Sequence, residues 1–169
     1  VLLEAWPRVA AARPGAELLV AGSGPDAAWL ARACAGLAGV RLVDRRLGDL
    51  ETAQAFLDAD LVVLPYIEAS QSGVLALAAA FGRPVVASAV GDLATTVQET
   101  GMGRLVPPGD PAALAAALSA LLADPEERGR LARASAAAAE GPLSAATVGA
   151  LAAELYADAV ARRAARLAA

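Results

Sequence analysis

Short apolar runs alternate with segments of helical spacing between positions 1 and 109. The apolar runs predict five strands, at 17–22, 40–44, 61–65, 84–88 and 103–107. The other segments, in which apolar residues recur at helical spacing, predict helices at about 1–13, 26–37, 50–59, 73–81 and 93–100. Because buried parallel strands joined by helical crossovers need cover on both faces, this order predicts an α/β fold with a parallel sheet and helices on both faces.

After position 109 the pattern predicts helices alone, at 112–123, 126–138 and 145–168. Asp110 and Asp124 each precede a proline, which is the arrangement of an N-cap residue and a first-turn proline. We expect one domain over 1–169, with strands and helices at 1–109 and C-terminal helices at 110–169. The last helix, with Leu151, Leu155 and Ala159 on one stripe, is expected to pack back across the domain.

The first predicted helix has the character of a crossover helix, but no strand precedes it in the chain. The chain also begins without an initiator methionine. These observations lead us to expect that the first strand of the sheet is missing and that the chain is a fragment of a larger two-domain protein.

Composition argues against several classes of function. A net charge of −4, without a basic stripe that includes aromatic residues, argues against nucleic-acid binding. The chain has no histidine, which excludes histidine-based catalysis by these residues. Its one cysteine, Cys34, fits a buried apolar position. No apolar run approaches the roughly 20 residues that cross a bilayer, and no signal peptide is recognisable, so we expect a cytoplasmic protein.

A polar loop at 68–73, the central loop, follows the third predicted strand. Ligands of parallel α/β sheets bind outside the carboxyl ends of the strands, where this loop lies. Ser70, Gln71, Ser72 and Gly73 then open a helix, and the free N–H groups of a helix N-terminus bind anions. The sequence therefore favours a phosphate site here, with ordinary helix capping as the alternative.

A second motif suggests a dinucleotide. Gly22, Gly24 and Ala27 follow a strand at the spacing of a dinucleotide-binding fingerprint, and Asp44 ends the next strand. Pro25 within the turn, and a helix upstream of the strand, argue against this interpretation.

A third motif, Asp58 and Asp60, has the spacing of a pair that binds a divalent metal. The two residues lie at the boundary between a predicted helix and a buried strand. Solvated boundary residues explain them better, so we expect no metal.

Five segments occur together in the order and spacing of a known family. They are LLVAGSGP at 18–25, DADLVVLP at 58–65, the central loop with QSG, GRPVVAS at 82–88, and GRLVPPGD at 103–110 followed by ALA. Over nearly its whole length, the chain resembles the carboxyl-terminal half of family 4 glycosyltransferases with the GT-B fold. The resemblance implies that the predicted sheet is Rossmann-like.

The resemblance also implies a role in carbohydrate biosynthesis. In the family, this half binds the nucleotide diphosphate-sugar donor and the amino-terminal half binds the acceptor. The sugar is transferred with retention of configuration, without a metal or other cofactor. The implied donor-binding residues are those of the central loop and helix start, the loop that faces the base, and a turn near the donor: Glu68, Ser70, Gln71, Ser72, Gly73, Val74, Leu75, Arg46, Leu47 and Gly91.

The central loop departs from the family at one position. The family's loop usually carries two Glu residues eight positions apart, and the second binds the ribose of the donor. Glu68 lies close to the first position, whereas the second falls on Leu77 or Ala78, depending on the alignment. The loop resembles a variant form of the family motif, and no catalytic residue is assigned.

Three functions therefore remain open. The sequence favours the donor-binding half of a glycosyltransferase, inactive as an isolated fragment. The alternatives are a NAD-dependent oxidoreductase domain that uses Gly22, Gly24 and Asp44, and a non-catalytic GT-B-like interaction module, which the missing Glu would favour. The missing acceptor-binding half is the expected partner, and through it the protein could associate with the inner face of the membrane.

Overall fold

The computed structural model describes the backbone of residues 1–168 and their side chains, except those of 158, 159, 161, 162 and 164–168. The strands are β1 (Leu18–Gly22), β2 (Val40–Asp44), β3 (Val62–Leu64), β4 (Val85–Ser88) and β5 (Gly103–Val106). The helices are α1 (Leu2–Ala12), α2 (Ala27–Cys34), α3 (Asp49–Asp58), α4 (Gly73–Ala80), α5 (Gly91–Thr100), α6 (Pro111–Ala123), α7 (Pro125–Glu140) and α8 (Ala145–Ala168). The predicted order of elements is confirmed.

The strands form two parallel ladders. β1 pairs with β2, so that Leu18 lies opposite Val40, and β4 pairs with β3 on one edge and with β5 on the other. All of these pairs are parallel, as the helical crossovers predicted. Among the described residues, no strand pairing joins the two ladders, because β1 and β3 each have a partner on one edge only. The predicted parallel strands are therefore divided between two ladders.

Helices cover both faces of the ladder that contains β4. All four residues of β4 are buried, and their side chains alternate between the two faces. Val86 belongs to a core cluster with residues of α1 and α6. Val85 and Ala87 belong to a second cluster with residues of α4 and α5. The prediction of helices on both faces is confirmed.

The helices after β5 pack on the part of the chain that contains the strands. α6 packs on α1, where Arg13 Nε donates a hydrogen bond to the carbonyl oxygen of Ser119 at 3.1 Å. α7 packs on α4, and the buried Ser135 Oγ donates to the carbonyl oxygen of Arg83 at 2.8 Å. α4 contributes Ala78 to this contact region, and such small buried side chains allow two helices to lie close together. The position of α4 is therefore fixed by α7.

α8 does not bury the apolar side chains that the structure describes in it. Leu151 and Leu155 are 56% and 72% exposed, and Val148, Tyr156 and Val160 are exposed as well. The expectation that the last helix packs back across the domain is wrong for these side chains, since no described element covers their stripe. No described helix contains an apolar segment long enough to span a membrane.

Candidate functional site

The carboxyl ends of β3 and β4 bring two loops together. The two strands are parallel neighbours, with Leu64 opposite Ala87, so the segments that follow them leave the ladder at the same edge. The backbone N–H of Asp92, in the first turn of α5, donates to the carbonyl oxygen of Ser70 at 3.2 Å. This hydrogen bond joins the start of α5 to the central loop.

Gly91 allows this close approach. Its φ is +46°, and a Cβ at this position would overlap the carbonyl oxygen of Ala69. A residue with a side chain would be strained in this conformation and would also collide with the central loop. Glycine at position 91 therefore lets α5 support the loop.

Ser72 is the N-cap residue of α4. Its Oγ accepts a hydrogen bond from the backbone N–H of Leu75 at 3.3 Å and lies 3.2 Å from the hydroxyl oxygen of Tyr66. Tyr66, which follows β3, is half-buried and packs against the second core cluster. The start of α4 is therefore linked to the end of β3. Tyr66 was missed in the sequence, where no spacing rule marks it.

The N-terminus of α4 carries backbone donors without partners. Within the described part of the chain, the N–H groups of Ser72, Gly73 and Val74 donate no hydrogen bond. Free N–H groups and the helix dipole together attract anions. Gly73 is exposed, and a Cβ there would meet nothing within 4 Å, so the space beside it is open.

The other predicted residues of this region differ in exposure. Glu68, Ser70 and Gln71 are exposed, so their side chains are accessible to a ligand. Leu75 is buried in the second core cluster, and its N–H is already bonded to Ser72. Leu75 therefore anchors α4 through its side chain.

Arg46 and Leu47 lie in the loop at 45–48, which follows β2. Arg46 is exposed and Leu47 is half-buried. A bridge between Gly22 and Arg45 joins this loop to the end of β1. No hydrogen bond between this loop and the central loop is present among the described residues. The predicted donor-binding residues thus follow carboxyl strand ends on both ladders.

An ion pair that the sequence analysis missed closes the 45–48 loop. Arg45 donates from Nη1 to Glu51 Oε2 at 2.8 Å and from Nη2 to Glu51 Oε1 at 2.5 Å. The same Oε2 accepts the backbone N–H of Gly48 at 3.0 Å. The hydrogen bond from Arg45, followed by that from Gly48, lowers the pKa of Glu51 to about 2. Glu51 lies three residues after Gly48, the N-cap residue of α3, where a glutamate can accept the N-cap N–H, and this spacing was the available sequence signal.

Leu77 and Ala78, on which the family's second Glu falls, have different environments. Leu77 is 40% exposed. Ala78 is fully buried, and its carbonyl oxygen lies 3.4 Å from Ser135 Oγ. Since a charged carboxylate is costly to bury, Leu77 is the position from which an acidic side chain could reach a ligand.

The two weaker motifs lie at the ends of elements. Gly22 ends β1 opposite Asp44, and a Cβ at Gly22 or Gly24 would meet nothing within 4 Å. A φ of +151° favours glycine at position 22, whereas neither crowding nor φ requires it at position 24. Asp58 ends α3 and accepts a hydrogen bond from Gln54 at 2.7 Å, which is the behaviour of a solvated helix-end residue.

The chain is similar in sequence to proteins that transfer sugars. A family model described as Glycosyl transferases group 1 matches residues 1–124. A phosphatidyl-myo-inositol mannosyltransferase from Mycolicibacterium smegmatis is 36% identical over 137 residues, which are 80% of this chain and 35% of that protein. The chain therefore spans about a third of the length of this relative.

The chain is also similar in fold to solved structures. Sucrose-phosphate synthase from Thermosynechococcus elongatus aligns with a TM-score of 0.76 at 28% identity, over 95% of this chain and 43% of that protein. Anabaena HepE in complex with UDP-glucose aligns with a TM-score of 0.79 at 22% identity, over 93% of this chain and 44% of that protein. The predicted Rossmann-like α/β fold is confirmed.

Proposed function

Since the chain belongs to the Glycosyl transferases group 1 family, we propose that it is the donor-binding half of a glycosyltransferase. The enzyme transfers a sugar from a nucleotide diphosphate to an acceptor hydroxyl with retention of configuration. The observation that carries this proposal is the set of unpaired N–H groups of Ser72, Gly73 and Val74, within the described chain, beyond the carboxyl end of β3. The alignment with HepE, solved with UDP-glucose, supports a nucleotide sugar as the ligand.

The start of α4 binds the diphosphate in this proposal. The N–H groups of Ser72, Gly73 and Val74 donate to phosphate oxygens, and the positive end of the helix dipole adds to the attraction. Negative charge grows on the departing nucleoside diphosphate as its bond to the sugar breaks, and fixed donors stabilise that charge. One such hydrogen bond contributes about 3 kcal/mol to lowering the barrier. No side chain of this half acts as a nucleophile, and no metal or other cofactor takes part.

The remaining donor-binding residues act around the diphosphate. Glu68, Ser70 and Gln71 provide exposed polar side chains beside it. The backbone of Arg46 and Leu47 contacts the nucleobase. With leucine at position 77 and no acidic group at position 78, the ribose is bound without the carboxylate that the family usually provides.

A second half, which binds the acceptor, completes the enzyme in this proposal, and the 169-residue chain alone is inactive. The share of each relative that the chain covers, 35% of the mannosyltransferase and 43% of the synthase, supports a larger protein. One further parallel strand between β1 and β3 would join the two ladders in the strand order of doubly wound folds. We assign that strand to the amino-terminal side of α1. The protein is cytoplasmic, and any attachment to the membrane is through the acceptor-binding half.

Calorimetric titration of the 169-residue chain tests the proposal. We expect UDP or GDP to bind, and we expect Gly73→Leu, which adds bulk beside the free N–H groups, to weaken binding on the order of tenfold. Gly149→Leu in α8 is the matched control, because a Cβ there would also meet nothing within 4 Å. Binding of NADH in place of UDP or GDP would support the oxidoreductase alternative. No nucleotide binding at all would support the interaction module.

A further inference from the structure

We infer that Arg45 and Glu51 are positioning residues for the nucleobase: their ion pair fixes the 45–48 loop so that the backbone of Arg46 and Leu47 meets the base. This inference rests on the proposed function and adds two side chains that do not touch the nucleotide. It explains why a glutamate lies in the first turn of α3, beside a loop that contributes its backbone.

One carboxylate holds both ends of the loop. Glu51 accepts two parallel hydrogen bonds from Arg45, at 2.8 Å and 2.5 Å, and a third from the backbone N–H of Gly48 at 3.0 Å. The first and last residues of the loop are therefore bonded to the same side chain, which α3 holds in place. The paired geometry of a guanidinium and a carboxylate is directional, so it restricts orientation as well as distance.

The backbone between these ends is also constrained. Arg45 Nη1 donates to the carbonyl oxygen of Arg46 at 3.3 Å. The N–H of Thr52 donates to the carbonyl oxygen of Gly48 at 2.8 Å, and the bridge from Gly22 ties Arg45 to the end of β1. The first two bonds use carbonyl groups of the loop, and the three contacts together fix its path.

The donors of the loop remain available. Outside the bridge at Arg45, the N–H groups of Arg46 and Leu47 donate no hydrogen bond within the described chain. Two adjacent free donors at a carboxyl strand end match the carbonyl and ring-nitrogen acceptors of a nucleobase. The ion pair thus fixes the loop and leaves the N–H groups of Arg46 and Leu47 available to a base.

The ion pair orders the loop more than it stabilises the fold. The side chains of Arg45 and Glu51 are 57% and 48% exposed, and exposed ion pairs add little to the free energy of unfolding. A loop that samples several conformations binds only in the fraction of molecules that have the competent one. Loss of the pair should therefore reduce base recognition and leave the stability of the fold nearly unchanged.

Glu127 provides a matched control for a substitution at Glu51. Its carboxylate also forms two hydrogen bonds with an arginine, to Arg130 Nε at 2.7 Å and to Arg130 Nη2 at 2.8 Å. It lies in α7, which contains none of the proposed donor-binding residues. Glu127 also accepts a hydrogen bond from Arg104 Nη2 at 3.4 Å, so Glu127→Gln perturbs at least as many arginine contacts as Glu51→Gln without changing the 45–48 loop.

The test is the selectivity of the 169-residue chain among UDP, GDP, CDP and ADP, measured by calorimetry. We expect Glu51→Ala to lower the ratio of the strongest to the weakest affinity on the order of fivefold. Glu51→Gln, which keeps an oxygen acceptor for Gly48, should have a smaller effect. Glu127→Gln should leave the ratio unchanged. A general loss of folding would lower all four affinities together and would not produce this pattern.

Two results would overturn the inference and leave the proposed function intact. One is an unchanged ratio in Glu51→Ala, and the other is equal affinity of the unaltered chain for all four nucleotides. Failure of the unaltered chain to bind any of them would overturn both the inference and the proposed function.

Discussion

The backbone of Gly91 lies so close to the carbonyl oxygen of Ala69 that no side chain fits between the start of α5 and the central loop. The N–H of Asp92 adds a hydrogen bond to Ser70 at 3.2 Å. The helices α4 and α5, which follow the neighbouring strands β3 and β4, therefore both contact the central loop. The loop leads into α4 and packs on the start of α5. The proposed diphosphate site depends on a residue that has no functional group of its own.

Gly91→Ala should displace the central loop and weaken the binding of UDP or GDP. A side chain at a φ of +46° costs about 1–2 kcal/mol, and the new Cβ would also overlap Ala69. Gly101→Ala is the control, because Gly101 has a φ of +65° and a Cβ there would meet nothing within 4 Å. Chemical denaturation should show a loss of stability in both variants, whereas calorimetry should show a loss of affinity in Gly91→Ala alone. Unchanged affinity in that variant would disprove the supporting role of Gly91.

Ser72→Ala should lower the free energy of unfolding by about 1 kcal/mol, because it removes the N-cap of α4. Asp110→Ala removes the N-cap of α6, where one carboxylate oxygen accepts the N–H groups of Ala112 and Ala113, both at 2.9 Å. The two variants should lose similar stability in urea denaturation. Only Ser72→Ala should weaken nucleotide binding. An equal loss of nucleotide affinity in Asp110→Ala would show that the weaker binding comes from the lower stability and not from the lost cap of α4.

Leu77→Glu and Ala78→Glu should differ sharply in stability. Ala78 is fully buried against α7, so a carboxylate there costs several kcal/mol, whereas Leu77 is 40% exposed and its replacement should cost less than about 1 kcal/mol. Thermal unfolding of both variants measures this difference. If position 77 faces the ribose, Leu77→Glu should also increase affinity for UDP or GDP. If Leu77→Glu lost stability and Ala78→Glu kept the stability of the unaltered chain, position 77 would be the buried one and position 78 the accessible one.

Acid should destabilise the fold partly through Glu51 and Glu127. Hydrogen bonds from arginine are the main cause that lowers the pKa of each to about 2, from the ordinary value of 4.5 that applies in the unfolded chain. A lowered carboxylate pKa contributes stability above pH 4.5, and this contribution is lost as the pH falls towards 2. Solvent screens the ion pair of Glu51, whose side chain is 48% exposed, so the contribution of Glu51 is small and most of the effect comes from Glu127, whose side chain is 19% exposed. The melting temperature should therefore fall modestly across this window. The double variant Glu51→Gln and Glu127→Gln should show a smaller fall, and an equal fall would exclude these two residues as the cause.

The order of elements was predictable because local pattern determines it. The run at 84–88 is apolar at nearly every position, as a strand buried on both faces requires, and β4 is buried throughout. Asp110 and Asp124 were predicted as N-cap residues from the prolines that follow them, and both cap helices in the structure. These signals involve residues close together in the sequence.

Features that depend on distant contacts were not predictable in this way. The division into two ladders depends on which strand edges find a partner, and the exposure of Leu151 and Leu155 depends on what surface α8 meets. The central loop was located by a general rule for parallel sheets, whereas the contact of Gly91 with Ala69 joins residues that no local pattern relates. The roles of the donor-binding residues remain predictions.

The unpaired edges of β1 and β3 have a consequence for purified material. Within the described chain, each edge has backbone donors and acceptors without a strand partner, and a strand of another molecule can add there. β1 has the sequence LLVAG and lacks the charged residues that commonly block such addition. The isolated chain is therefore expected to aggregate at high concentration. A segment that filled the space between the ladders would pair with both edges and prevent this aggregation.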